Sequence, residues 1–97
     1  MVCRILAAAI GLVSIAAAVV ASAEPPAGAA ACSGCHPAST RVTSPVPRLA
    51  GLDRAAIVRA MQDFRSGTRA ATVMDRIAKG FTEAEVQAIA AWYATQQ

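Results

Sequence analysis

A single histidine, His36, excludes any site built from two imidazoles within one chain. Three cysteines, Cys3, Cys32 and Cys35, leave no second Cys or His pair to complete a tetrahedral zinc site. Phe64, Phe81, Trp92 and Tyr93 are the only aromatic residues, so little bulk is available for a core. Charged residues make up only 15% of the chain, and its nine Lys and Arg neither cluster nor interleave with aromatics, which argues against a nucleic-acid-binding face. No strand pattern is legible, so the βαβ setting of a thioredoxin-like dithiol is absent.

What the sequence does have begins with a leader. Arg4 gives a short positive start, residues 5–20 are almost continuously apolar, and Ala21-Ser22-Ala23 is an A-x-A cleavage site before Glu24. That layout predicts a signal peptide over 1–23, export to the bacterial periplasm, and one domain over 24–97. An uncleaved anchor is the competing reading, because the run approaches the roughly 20 residues of a spanning helix. Its alanines, Gly11, Ser14 and the cleavage motif argue for removal, with no stable membrane insertion afterwards. Cys3 leaves with the leader. Eight basic and six acidic side chains remain, a mildly basic balance suited to a partner with an acidic face.

The remainder reads as all-α. Pro26 suits a helix start, and Ala27 to Cys35 is alanine-rich enough to be helical, with Pro37 ending it. Residues 37–51, PASTRVTSPVPRLAG, carry three prolines and no period, so they form a loop. Asp53 is a good N-cap for a second helix whose apolar face is Ile57, Val58, Met61 and Phe64, stopped at Ser66-Gly67. A helical turn or two is expected around Val73 to Lys79, stopped by Gly80. Thr82-Glu83-Ala84-Glu85 is a capping box opening a last helix with the stripe Val86, Ile89, Ala90 and Tyr93, and Trp92 beside it.

The chemistry sits in ACSGCHP, residues 31–37. C-x-x-C-H is the attachment signature of haem c. Two thiols add to the two vinyl groups on one porphyrin edge, and the histidine next to the second thiol lies on one face with its imidazole at the iron. A disulfide between Cys32 and Cys35 would close too small a loop to constrain the unfolded chain much, and it leaves His36 unexplained. A haem also answers the size problem. At ~25 cal/mol per Å², its apolar surface contributes on the order of 10 kcal/mol of gross burial to a marginal helical set.

The second axial ligand separates electron transfer from ligand binding. Bis-histidine ligation is excluded, and Met1 leaves with the leader. Met61 lies on the apolar face of the second helix, where methionine is ordinarily core filler. Met74 lies in the weakly structured segment between helices, which can aim its sulfur at the iron, and it is the favoured ligand.

At these residues the sequence resembles class I cytochromes c. CSGCH, PVPRLAGLDRAAIVRAMQDFRSG and TVMDRIAKGFTEAEVQAIAAWYA are similar, within that family, to the monohaem cytochrome subunit of flavocytochrome c sulfide dehydrogenase. The resemblance spans about Ala31 to Gln97 and implies a small all-α fold of three to four helices around one covalently bound haem. It assigns Cys32 and Cys35 to the thioethers, and His36 and Met74 to the axial positions. Pro47 becomes the residue whose carbonyl accepts from the proximal imidazole, and Trp92 an aromatic packed on the N-terminal helix beside the haem. Pro37 and Asp75 depart from the family, which has glycine at both places. The family further implies electron transfer from an FAD-bearing sulfide-oxidising subunit to a soluble acceptor such as another cytochrome. FAD is then expected on the partner, not on this chain, and this chain is not catalytic alone. A free-standing periplasmic electron shuttle is the alternative. A ligand-binding or sensing haem protein with an open sixth site is a third.

Overall fold

The computed structural model describes residues 24–97, so the expected leader over 1–23, with Cys3, lies outside the described residues. Among the described residues there are helices and turns but no strand, as the sequence predicts. Helix α1 spans Ala29–Cys32, α2 Arg54–Ser66, α3 Met74–Ile77 and α4 Glu83–Ala94, and a 3-10 turn over Ala78–Gly80 continues α3.

Local chemistry explains the two long helices. Asp53 adopts an extended conformation and its carboxylate accepts from the Ala56 amide at 3.0 Å, satisfying one orphan donor at the start of α2. Gly67, at φ 79°, ends α2 in the left-handed conformation that glycine adopts without steric cost. At α4 both halves of the capping box form: the Glu85 amide donates to Thr82 Oγ1 at 3.2 Å, and the Thr82 amide donates to Glu85 Oε2 at 2.7 Å. The Thr82 amide holds the Glu85 carboxyl below its ordinary range, with the Thr82 hydroxyl assisting.

Helix α1 is shorter than the alanine content suggests. The expected span of Ala27 to Cys35 shrinks to Ala29–Cys32, and Ser33 to Cys35 form a turn instead. Gly28, at φ 87°, sits at the start of α1 in a left-handed conformation that no α-helix continues through. Past Cys32 the tighter pattern takes over, with Gly34 N donating to Ala31 O and Cys35 N to Cys32 O.

Packing joins the ends of the chain. Ala29 of α1, Ile57 and Val58 of α2, and Val86, Ile89, Ala90 and Tyr93 of α4 form one buried cluster. The whole predicted stripe of α4 is therefore inside. Cys32, Leu49, Met61, Phe81 and Trp92 are half-buried against it, so Met61 does fill core space. The loop after α1 returns to the same place, where the Gly51 amide donates to the Tyr93 carbonyl at 3.0 Å. Helix α2 also packs against α3 and the 3-10 turn, so the Met74 segment rests on α2.

Candidate haem-attachment site

The motif residues are held from both directions. On the α1 side, a methyl group added at Gly28 would lie 2.6 Å from Phe81 Cε1 and 3.3 Å from Ile89 Cδ1, so backbone here touches side chains directly. The buried Tyr93 hydroxyl donates to the Ala29 carbonyl at 2.8 Å, tying α1 to the last turns of α4. The thiol of Cys32 faces this packed zone and donates to the Gly28 carbonyl at 3.6 Å. Burial pushes that thiol up from its ordinary range, a shift partly offset by a backbone hydrogen bond. The same burial raises the Tyr93 phenol, and the neighbouring Cys32 adds to it. Cys35, three residues on, is exposed, and both cysteines are free thiols rather than a disulfide.

The next residue, His36, follows without a break: its amide donates to the Cys32 carbonyl at 2.9 Å, which closes one helical turn. Its ring is fixed by the other side of the loop, because His36 Nδ1 lies 2.5 Å from the Pro47 carbonyl oxygen. A carbonyl can only accept, so Nδ1 carries the proton, and in the neutral ring Nε2 keeps its lone pair. Arg48 stiffens this arrangement by donating from Nε to the Ala38 carbonyl at 2.9 Å, across the loop that delivers Pro47. Pro47 is thus brought to His36 from eleven residues away.

Met74 comes from a different element. It is the first residue of α3, half-buried, behind Val73. The Arg76 and Ile77 amides donate to the Val73 carbonyl at 3.0 and 3.1 Å, and the Ala78 amide donates to the carbonyl of Met74 itself. Next to it, Asp75 Oδ1 is buried without a hydrogen-bond partner, and nothing in the structure explains it. Trp92 is half-buried on α4, its ring edge-on to Tyr93 with centroids 4.8 Å apart. Sequence reasoning placed Tyr93 in the core stripe but missed its bond to the Ala29 carbonyl, and it missed Gly28; the glycine ahead of an alanine run was the available signal.

These residues fit a covalently attached haem. Two free thiols and an imidazole with Nε2 uncommitted sit on one turn, and a thioether is offered by a second element. Four large aliphatic side chains are exposed: Val42 and Leu52 in and after the Pro47 loop, at 56% and 42%, and Val73 and Ile77 before and after Met74 in sequence, at 49% and 41%. An apolar macrocycle laid against such side chains removes their surface from water at about 25 cal/mol per Å². Among the described residues, no three or more His, Cys, Asp and Glu side chains are grouped to hold a bare metal ion. A groove between α2 and α4, lined by Asp53, Arg54, Arg59, Gln62 and Gln87, brings together no nucleophile and no ligand set.

No family model matches the chain. It is 39% identical over 62 residues to the cytochrome subunit of sulfide dehydrogenase from Chlorobaculum tepidum, covering 64% of this chain and 56% of that one. It is 39% identical over 62 residues to cytochrome c-552 of Acidithiobacillus ferridurans, covering 64% of this chain and 27% of the other. The thiosulfate dehydrogenase electron acceptor of Stutzerimonas stutzeri is 38% identical over 65 residues, covering 65% and 30%. The chain thus spans just over half the length of the first relative and under a third of the other two. Over 64–65% of its length this all-α chain is thus similar to two proteins named as cytochromes and one named as a dehydrogenase electron acceptor.

Proposed function

We propose that residues 24–97 form a periplasmic monohaem cytochrome c that relays electrons from an FAD-containing sulfide dehydrogenase subunit to a soluble acceptor such as another cytochrome. The leader over 1–23 would direct export. The observation that carries the reading is the His36–Pro47 hydrogen bond within C-x-x-C-H, because it leaves Nε2 as the coordinating nitrogen. Such partners orient a ligating imidazole and raise its basicity.

The residues divide the work. The thiols of Cys32 and Cys35 would each add across one vinyl group, breaking the S–H bond and the vinyl π bond and forming one C–S and one C–H bond, with no oxidant or reductant needed. His36 and Met74 would hold the two axial positions. When bound, the haem supplies a one-electron Fe(III)/Fe(II) couple, which a methionine ligand shifts to higher potential. Trp92, half-buried beside Tyr93, would pack on the haem side of α4. With both axial positions filled from the chain, the protein would exchange electrons without binding a substrate at iron.

A relative named as the electron acceptor of another dehydrogenase favours a second reading, a free-standing shuttle. Purification from the native host separates the two. A flavoprotein retained at fixed stoichiometry supports the subunit reading, and a monomer free of flavin refutes it. Carbon monoxide added to the reduced protein tests the axial pair. Slow binding is expected, with Met74→Ala opening the site; rapid binding by the unaltered protein would establish an open sixth position and a ligand-binding or sensing role.

A further inference from the structure

The geometry points to Arg65 as a positioning residue that holds the Met74 segment in place. This rests on the reading of Met74 as an axial ligand. Arg65 lies in the last turn of α2, half-buried, and its guanidinium reaches across to the backbone that follows α3. Its Nη2 donates to the Ala78 carbonyl at 3.1 Å, with Nε 3.4 Å from the same oxygen, and it also donates to the carbonyl of Phe81. Ala78 is wholly buried, so its carbonyl has no access to water and needs a partner within the protein. The Ala78 amide in turn donates to the Met74 carbonyl. A short relay therefore runs from guanidinium to Ala78 to the backbone of the ligand residue.

The segment needs such a clamp because its own structure is weak. Helix α3 has four residues and Val73 ahead of it makes no side-chain cap. So short a helix does not stand by itself, and its hydrogen bonds barely repay the ordering of the chain. One planar cation with several donors in a fixed fork can satisfy two carbonyls at once, which lysine, a point charge on a flexible stem, does less well. The consequence falls on the iron: a loosened segment lets the Met74 sulfur leave more often, and an external ligand enters through that open state.

The test compares carbon monoxide binding by the reduced haem protein in four forms: unaltered, Arg65→Ala, Arg65→Lys and Met74→Ala. Loss of charge-assisted hydrogen bonds of this kind shifts the open population about ten- to hundredfold. Arg65→Ala should therefore bind carbon monoxide about ten- to hundredfold faster than the unaltered protein, with Arg65→Lys between them. The red-end absorption band of methionine-ligated ferric haem should disappear at lower pH in both variants. A variant that loses thermal stability while keeping the original binding rate and band overturns the inference, because Arg65 is then structural only. If Arg65→Ala does not fold, Arg65→Lys decides alone: a raised rate supports the clamp and an unchanged rate overturns it. If the unaltered protein already binds as fast as Met74→Ala, the axial reading of Met74 itself falls, and Arg65 has no ligand to position.

Discussion

Replacing Gly28 by alanine strikes the contact on which the rest of the site is built. Two costs combine. Alanine at φ 87° is strained, at roughly 1–2 kcal/mol for a left-handed L-residue. Its methyl would lie 2.6 Å from Phe81 Cε1 and 3.3 Å from Ile89 Cδ1, so relief means moving packed side chains, about 1–3 kcal/mol of overpacking. The unfolded chain gives back about 0.4–1 kcal/mol, because alanine has fewer states to lose. A net loss of about 1–4.5 kcal/mol follows, at roughly 4–8 °C in Tm per kcal/mol for a domain of this size. Gly67 is a control within the same molecule: its φ is 79°, but nothing lies within 4 Å of an added methyl. Gly67→Ala should therefore cost only the backbone part, about 1 kcal/mol. Chemical and thermal unfolding of the haem-loaded protein, followed by circular dichroism, measures both. Equal losses for the two variants would refute the close packing of α1 against Phe81 and Ile89.

Tyr93→Phe should cost about 1–2 kcal/mol in urea unfolding, since it leaves the Ala29 carbonyl without its 2.8 Å donor; a neutral result would mean the bond is not formed in solution. Glu85 carries a pH signature whose sign is set by its lowered carboxyl. The folded form binds the proton less readily than the unfolded one, so the contribution is full above the ordinary glutamate range and is lost as pH falls through the lowered value. Glu85→Gln should flatten the acid side of the stability–pH curve, and an unaltered curve would show that the carboxylate does not serve the Thr82 amide.

Much of the fold is legible residue by residue because the relevant forces act over a few positions. Asp53 and Ala56, Thr82 and Glu85, and the stop at Gly67 lie within one turn of the helices they delimit. Helix α1 was harder to read. Its alanines favour a helix over Ala27 to Cys35, yet packing needs the chain to turn at Gly28, and it is Phe81 and Ile89, more than fifty residues away, that impose the turn. Tyr93 illustrates a related limit. The apolar stripe places it in the core, but which carbonyl its hydroxyl meets depends on how α4 packs against α1, and it finds Ala29.

By itself the sequence determines which groups are offered together, because C-x-x-C-H places two thiols and an imidazole on a single turn, and covalent adjacency needs no fold to supply it. It also determines the starts of α2 and α4, whose capping residues lie within one turn of the ends they close, but not the bounds of α1. The tertiary structure alone decides which atoms close the site. It brings the Pro47 carbonyl to His36 Nδ1, the Tyr93 hydroxyl to Ala29, and the Arg65 guanidinium to Ala78 and Phe81. Those contacts join residues eleven to sixty-four positions apart. Their formation depends on the loop-closure entropy that the common core of α1, α2 and α4 offsets, and no local pattern encodes that balance.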